Sequence, residues 1–229
     1  MKITKKPAFT LTEIVVMLLV LAVSITMAAN LLAGSTDTTG GNRNNLLAEN
    51  LANEALDAAQ NLIYTNILLY GAENAEDCWI VYTQNVEFAE NCIGNEIIPT
   101  LESPPVHGRL QRNYQEPNLH WQLSEPASEL DLSQERPGNE FYHLYRKKIT
   151  SDPQSPLATT EYYDYQQANN TTASPFYRSV TFTPSQNNVD QVLNEVDISV
   201  SVQWYEGRRL RQINKTVTAN RENILTGNL

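Results

Sequence analysis

Apolar residues dominate the beginning of the chain. The segment from Phe9 to Ala33 carries one charged residue in 25 positions, and Ile14 to Val23 are ten consecutive apolar residues. A helix of about 20 apolar residues is long enough to cross the hydrocarbon core of a bilayer. The pattern therefore predicts a transmembrane helix over residues 9–33.

A polar, glycine-containing segment follows this apolar run. Residues 34–42 include Gly34, Gly40 and Gly41 among Ser and Thr residues, a composition that disfavours helix. It predicts a flexible break, although one continuous long helix is also consistent with the sequence. Beyond the break, apolar residues recur at three- and four-residue steps, which predicts an amphipathic helix over residues 43–70. The apolar stripe consists of Leu47, Leu51, Ala55, Ala58 and Leu62.

The alternation of apolar and polar residues near the C-terminus predicts a β-hairpin. Across residues 196–204 every second residue is apolar, which is typical of an antiparallel strand with one buried face. A turn is expected at Glu206-Gly207, and Leu210 and Ile213 belong to the return strand. Because Leu210 and Ile213 differ in parity, we expect a β-bulge between them.

The middle of the chain gives weaker signals. Short strands are predicted at residues 79–83, 119–123 and 141–149. Residues 151–175 are polar and predict a long surface loop. Its tyrosines either pack over the edge of the core or form a binding surface: Tyr162, Tyr163 and Tyr165. The elements together predict an α+β fold, in which the amphipathic helix packs on an antiparallel sheet and residues 71–229 form a β-rich globular domain.

The charge balance argues against nucleic acid as the main partner. The chain has 26 acidic residues against 16 Lys and Arg, for a net charge of −10, whereas phosphate binding needs clustered positive charge. One basic cluster leaves the question open, namely Arg208, Arg209 and Arg211. The favoured interpretation of this cluster is a solvated turn or an ion-pair patch between subunits.

The distribution of Lys and Arg predicts the orientation of the chain in a membrane. Lys2, Lys5 and Lys6 precede the apolar run, and the next basic residue is Arg43. The positive-inside rule therefore places the N-terminus in the cytoplasm and residues 71–229 outside it. The chain is predicted to be a single-pass membrane protein.

Two cysteines lie in the predicted external part. Cys78 and Cys92 are 14 residues apart, and a pair outside the cytoplasm favours a disulfide worth about 3 kcal/mol in the chain-entropy model. Two free thiols are the alternative. No His or further Cys stands at ligand spacing beside either one, so no metal site is expected.

We find no signature of an active site. The chain lacks the glycine-rich phosphate-binding, nucleophile-elbow and zinc-protease motifs. Its histidines are isolated in the sequence: His107, His120 and His143. The prediction is therefore a protein that is not an enzyme, without cofactor or metal.

The N-terminus has three interpretations. It could be a secretory signal peptide cleaved near Ala28 or Ala29, or an uncleaved signal anchor. The third follows from the segment PAFTLTEIVVMLLVLAV, which resembles the leader and first helix of type IV prepilins and type II secretion pseudopilins. In that family a peptidase on the cytoplasmic side cuts after a small residue, methylates the new N-terminal Phe, and leaves a Glu at the fifth mature position.

The resemblance implies specific processing of this chain. Residues 1–8 would be the leader, the cut would fall between Ala8 and Phe9, Phe9 would be N-methylated, and Glu13 would occupy the fifth position. Ala8 replaces the usual Gly, and Thr12 replaces the usual Ile or Val. The implied partners are a prepilin peptidase, other pilin subunits and the inner membrane, and the implied architecture is the pilin one.

Glu13 is what separates the third interpretation from the other two. A carboxylate at the centre of a membrane helix costs roughly 2.5–3.5 kcal/mol, and the amine created at Phe9 of the same or a neighbouring subunit could pair with it. The alternative is a Glu that reaches the lipid headgroups without a partner, which explains its tolerance but not its spacing from Phe9. The implied function is a minor pilin or pseudopilin; the rival is a membrane-anchored binding or enzymatic domain that does not polymerise.

Overall fold

The computed structural model describes residues 10–81, 97, 102–113, 120–124, 127–134, 139–150, 159–165, 167, 171–185 and 193–222. The chain divides into two compact units, Met1–Leu46 and Leu47–Leu229. The predicted leader, the predicted cut between Ala8 and Phe9, and Cys92 lie outside the described residues.

One helix, α1, spans Leu11–Cys78. In the first unit its side chains from Leu11 to Ser35 are exposed. α1 contains a stretch long and apolar enough to cross a membrane, and none of the most apolar window is buried. This is the property expected of a single membrane-spanning helix, because a core helix of a soluble domain buries such residues.

The expected break at residues 34–42 is not observed, and the helix is continuous there. Thr39 donates a hydrogen bond from Oγ1 to the carbonyl of Ser35 at 2.8 Å, a contact that fits inside a helix. Three glycines lower helix propensity by only about 1 kcal/mol each, which a long helix tolerates. The second predicted helix, residues 43–70, is the continuation of the first and extends to Cys78.

Replacing Gly34 and Gly40 with Ala is expected to stabilise this part of α1. A Cβ atom built at either glycine meets no atom within 4 Å, so the gain is the propensity difference of about 1 kcal/mol per site. Slower amide hydrogen exchange over residues 34–42 would be the observed effect. Gly108→Ala serves as the contrasting variant and is not expected to stabilise the chain, because a Cβ atom there would lie 3.0 Å from Leu123 Cδ1. Unchanged exchange in both helix variants would contradict the prediction.

The second unit is built on an antiparallel sheet. Its strands are β1 (Val106–Gly108), β2 (Leu110–Asn113), β3 (His120–Leu123), β4 (His143–Thr150), β5 (Thr159–Asp164), β6 (Thr171–Pro184), β7 (Glu195–Glu206) and β8 (Arg209–Asn220). The main sheet has the order β5-β4-β6-β7-β8, and β1 pairs with β6. β2 and β3 form a separate two-stranded sheet, and a 3-10 helix, Asn139–Tyr142, precedes β4.

The core lies between α1 and one face of the main sheet. The helix contributes small residues that are fully buried, Ala48, Ala52, Ala55 and Ala59 among them. The sheet contributes large ones, and the biggest are Trp204, Phe176 and Phe182. Small side chains on the helix let it approach the sheet closely, while the aromatic rings fill the remaining volume. The α+β prediction is confirmed.

The C-terminal hairpin has no bulge. β7 and β8 pair continuously from Glu195 and Asn220 to Glu206 and Arg209, and Gly207 supplies the left-handed turn residue, with φ at 61°. The predicted bulge is wrong because Leu210 belongs to the other face of the sheet. It packs there against a second apolar cluster, formed by Leu130, Leu132 and Tyr142.

The predicted loop over residues 151–175 is also wrong in its described part. β5 occupies Thr159–Asp164, and β6 already begins at Thr171. Tyr165 is 5% exposed and belongs to the core, and Tyr163 packs against it. Tyr163 and Tyr165 therefore follow the packing alternative, whereas the ring of Tyr162 lies under Lys147 Nζ, 5.5 Å from the ring centre.

The shorter strand predictions have mixed outcomes. The strands expected at 119–123 and 141–149 are β3 and β4. The strand expected at 79–83 is not formed: Trp79 and Ile80 are bends and Val81 makes an isolated bridge, while residues 82–83 lie outside the described part. Asn66 holds this segment to the helix, since its Nδ2 donates to the carbonyls of Trp79 and Val81, both at 3.2 Å.

Candidate functional site

Glu13 lies in the first turn of α1 and is exposed. Its backbone N–H donates to the carbonyl of Thr10 at 3.1 Å. The unpaired N–H groups and the positive end of the helix dipole favour a carboxylate at this position. The structure thus places Glu13 at the beginning of the apolar stretch, where a carboxylate is tolerated and accessible.

The helix that follows Glu13 presents apolar side chains on all sides. Between Leu11 and Leu32 the large apolar residues are 46–81% exposed. Beyond Glu13 two hydroxyl side chains, those of Ser24 and Thr26, lie among them, and both are satisfied within the helix. Ser24 Oγ donates to the carbonyl of Val20 at 2.7 Å, and Thr26 Oγ1 donates to that of Ala22 at 2.8 Å. Internal satisfaction of polar groups is what a lipid environment requires.

Cys78 ends α1 and is 4% exposed. It is not a free thiol. Cys92, its predicted partner, lies outside the described residues, so the pairing stays a prediction. Among the described residues no group of three or more His, Cys, Asp or Glu could hold a metal ion.

The basic cluster sits at the turn of the last hairpin. Arg208 and Arg209 are exposed, and Arg211 Nε donates to Glu206 Oε2 at 2.9 Å. The geometry is that of a solvated turn in which one of the three cations already has a partner on the neighbouring strand. Its use in contacts between subunits stays a prediction.

Two histidines, His107 and His143, are held by structural contacts. His107 Nδ1 lies 2.9 Å from Thr181 Oγ1. His143 Nε2 lies 2.7 Å from the carbonyl of Ser174, and its ring stacks on Tyr177 with centroids 4.6 Å apart. His120 is a residue of β3. His143 Nδ1 also lies 3.7 Å from Glu140 Oε2, and His107 and His143 do not form a catalytic arrangement with each other and a carboxylate.

The sequence did not predict a buried charge that the structure shows among the described residues of the second unit. Arg178 is 2% exposed and points from β6 towards α1. Its Nη1 donates to the carbonyl of Leu51 at 3.1 Å and to Glu54 Oε2 at 3.2 Å, and its Nε donates to the Tyr165 hydroxyl at 2.9 Å. The Tyr165 hydroxyl in turn donates to the main-chain oxygen of Arg178 at 3.0 Å.

The protonation states of this cluster follow from its burial and contacts. Burial alone lowers the pKa of Arg178, but Tyr165 and Glu54 outweigh it, and the pKa lies above the ordinary value. Burial raises the pKa of Tyr165, against the opposing effect of Arg178. At neutral pH Arg178 is therefore a guanidinium and Tyr165 a neutral phenol. The hydrogen bonds of Arg178 to Leu51 and Glu54 tie α1 to β6.

Arg109 marks the point where the chain passes from the main sheet into the small one. Its guanidinium lies 4.2 Å from the centre of the Phe141 ring, and Nη1 donates to the Phe141 carbonyl at 3.1 Å. Burial lowers the pKa of Arg109, partly offset by Tyr165 and Asp164. The neighbouring Tyr142 has a pKa raised to about 12, chiefly by burial. These contacts hold Arg109 against Phe141, at the end of the 3-10 helix.

Comparison of the chain with models of protein families, with curated proteins and with solved structures found no match. Inferences about function therefore rest on the residues and contacts described above.

Proposed function

We propose that this chain is a structural subunit, a minor pilin or pseudopilin, of a type IV pilus-like filament. It is made as a precursor, cut between Ala8 and Phe9 by a prepilin peptidase, and N-methylated at Phe9. It is held in the inner membrane by the first part of α1, with its N-terminus in the cytoplasm. Neither a catalytic activity nor a cofactor is part of this proposal.

The observation that carries the proposal is the combination of Glu13 and the exposed apolar helix. Glu13 is the single charged residue between Phe9 and Ala33, and it lies in the first turn of α1, before side chains that nothing in the described chain covers. Lipid accounts for the apolar surface before assembly, and neighbouring helices account for it afterwards. A generic membrane anchor requires the apolar surface but does not require Glu13.

In this proposal Glu13 selects the register of assembly. The cut creates a positive amine at Phe9, and Glu13 of the preceding subunit pairs with it as the helices pack together. In an apolar surrounding an unpaired charge is strongly disfavoured, so a register that leaves Glu13 unpaired is rejected. The apolar contacts supply the affinity and the charge pair supplies the alignment.

The second unit is then the part displayed on the filament. Within that unit the sheet is tied to the helix by Arg178 and by the alanine-lined core. The predicted Cys78–Cys92 disulfide would close the segment after the helix. Which filament system uses the subunit is not part of the proposal.

Mass spectrometry of the mature N-terminus tests the processing. The proposal expects a chain that begins with N-methylated Phe9 when the protein is expressed with a prepilin peptidase, and the uncut precursor when the peptidase is absent. Ala8→Gly, which restores the residue usual in the family, is expected to be cut at least as fast. A chain that begins at Met1 in both strains, or at Asn30, would overturn the proposal in favour of a membrane-anchored domain that does not polymerise.

A further inference from the structure

The face of the sheet that points away from α1 carries a polar groove. The groove is a cavity of about 470 Å³ over β6, β7 and β8. In these strands apolar residues alternate with polar ones, and the polar set faces outward because Val200 and Val202 face the core. The cross-strand partners form regular rows, such as Ser179–Ser201–Asn214 and Thr181–Ser199–Thr216.

Hydroxyl and amide groups line the floor of the polar groove and order one another. Ser199 Oγ lies 2.9 Å from Thr216 Oγ1, and Gln212 Nε2 donates to Ser201 Oγ at 3.1 Å. His107 extends one row onto β1 through its 2.9 Å contact with Thr181 Oγ1. Each hydroxyl can donate one hydrogen bond and accept two, so the floor retains capacity for both donors and acceptors of a ligand.

One wall of the polar groove is held in place by a buried side chain. Gln203 is 5% exposed. Its Oε1 accepts from the N–H of Leu132 at 3.0 Å, and its Nε2 donates to the carbonyl of Leu130 at 3.3 Å. These two bonds fix Glu129 and Asp131 at the edge of the cavity. The groove is thus formed before any ligand arrives, which reduces the entropy lost on binding.

The charges of the groove decide which ligands it accepts. Among the described residues that line it, none is Lys or Arg, and Glu129 and Asp131 are acidic. Phosphates, sulfates and acidic glycans would be repelled rather than bound. None of these lining residues is Phe, Tyr or Trp, so a flat apolar ligand has no stacking surface. The two acids lie at the edge of the groove, whereas the lining residues from β6, β7 and β8 are all uncharged. A neutral ligand rich in groups that donate and accept hydrogen bonds therefore matches the floor.

We propose that the polar groove binds a neutral oligosaccharide. Sugar hydroxyls both donate and accept, as the Ser, Thr, Asn and Gln side chains of the floor do, and they need no counter-charge. Without an aromatic platform each site is weak, with a Kd on the order of 1 mM. The inference concerns the second unit alone and does not rest on filament assembly.

Saturation-transfer NMR on the full chain in glycolipid-free nanodiscs tests the inference. The probes are two neutral oligosaccharides, maltoheptaose and chitotetraose, and an anionic one, tetragalacturonate, each at about 10 mM, well above the expected Kd. We expect transfer to at least one neutral probe and much less to the anionic probe. Absence of transfer to both neutral probes, or equal transfer to the anionic one, would overturn the proposal.

Matched Thr→Val variants locate the binding. Thr181→Val and Thr216→Val together remove two floor hydroxyls while keeping side-chain shape and strand propensity, and the double variant is expected to bind at least about 10-fold more weakly. Thr172→Val, an exposed position of β6 that does not line the groove, is expected to bind normally. Tryptophan fluorescence verifies that all variants are folded. An equal loss in Thr172→Val, or no loss in the folded double variant, would contradict the site.

Discussion

A Glu13→Ala variant is expected to be cut and methylated normally and to be reduced at least about 10-fold in filaments. In the proposed pathway the cut depends on the leader and on Ala8–Phe9, which the substitution leaves intact. The proposed assembly depends on the charge pair, because a Phe9 amine without a carboxylate partner must stay near the membrane surface. A charge-assisted hydrogen bond contributes about 1.5–3 kcal/mol, which corresponds to a change of roughly 10- to 150-fold in equilibrium. The measurement compares the subunit in sheared filaments with the total, by immunoblot.

Two substitutions at Glu13 separate charge from shape. Glu13→Gln keeps the length and loses the charge, so it is expected to behave as Glu13→Ala does. Glu13→Asp keeps the charge on a shorter side chain and is expected to assemble in part. Thr12→Val changes the adjacent exposed residue of the same turn and is expected to assemble normally. Normal incorporation of processed Glu13→Ala would instead favour a carboxylate that reaches the headgroups without a partner.

The periodicity of apolar residues correctly predicted β7 and the buried face of α1. The alternation at residues 196–204 defines β7, which spans Glu195–Glu206. The apolar stripe beginning at Leu47 and ending at Leu62 faces the core. In both cases the period of the sequence equals the period of the element, and one face is buried against a single partner.

β6 was missed because two of its residues contradict the pattern of a central strand. Pro175 cannot donate to the ladder, and Arg178 stands in phase with the apolar Phe176 and Val180. The structure accommodates both. The pairing of β4 with β6 shifts between His143 and Tyr145, opposite Pro175, and Arg178 finds partners on α1. Only the tertiary arrangement supplies those partners, so the sequence of β6 alone could not reveal it.

The predicted bulge and the predicted break were wrong for different reasons. Leu210 has a parity different from that of Ile213 because it packs on the other face of the sheet, against Leu130 and Leu132, which lie 80 and 78 residues earlier in the sequence. Gly34 and Gly40 lowered the expected helix content, but the penalty is small against the many helical bonds on either side.

The two surfaces to which we assign a proposed function differ in how far the sequence could predict them. Glu13 follows from its spacing to Phe9 and from the apolar run, and both are visible in the sequence. The outward polar residues of β7 were also visible, but the polar groove was not. One wall of the groove comes from the segment around Glu129, and the row of polar residues that includes Thr181 is extended by His107. Neither contact follows from local sequence pattern.

Glu54→Ala is expected to lower the free energy of unfolding by about 2 kcal/mol, more than Arg178→Met does. Removing one partner of a fully buried ion pair costs about 3–5 kcal/mol, and the figure is reduced here because the Glu54 side chain is 44% exposed. The loss arises because Arg178, 2% exposed, would keep its charge with only the neutral oxygens of Leu51 and Tyr165 as partners. Urea unfolding of the full chain in nanodiscs, followed by tryptophan fluorescence, measures it.

Arg178→Met removes the buried charge itself and is therefore expected to stay within about 1 kcal/mol of the wild type. Glu54 can then turn to water, and the Tyr165 hydroxyl keeps its bond to the main-chain oxygen of residue 178. The double variant Glu54→Ala/Arg178→Met is expected to be more stable than Glu54→Ala alone. Glu49→Ala, an exposed acid on the same helix, serves as the control and is expected to change little. A larger loss in Arg178→Met than in Glu54→Ala would instead mean that the guanidinium contacts with Leu51 and Tyr165 stabilise the sheet against α1 more than burial of the charge costs.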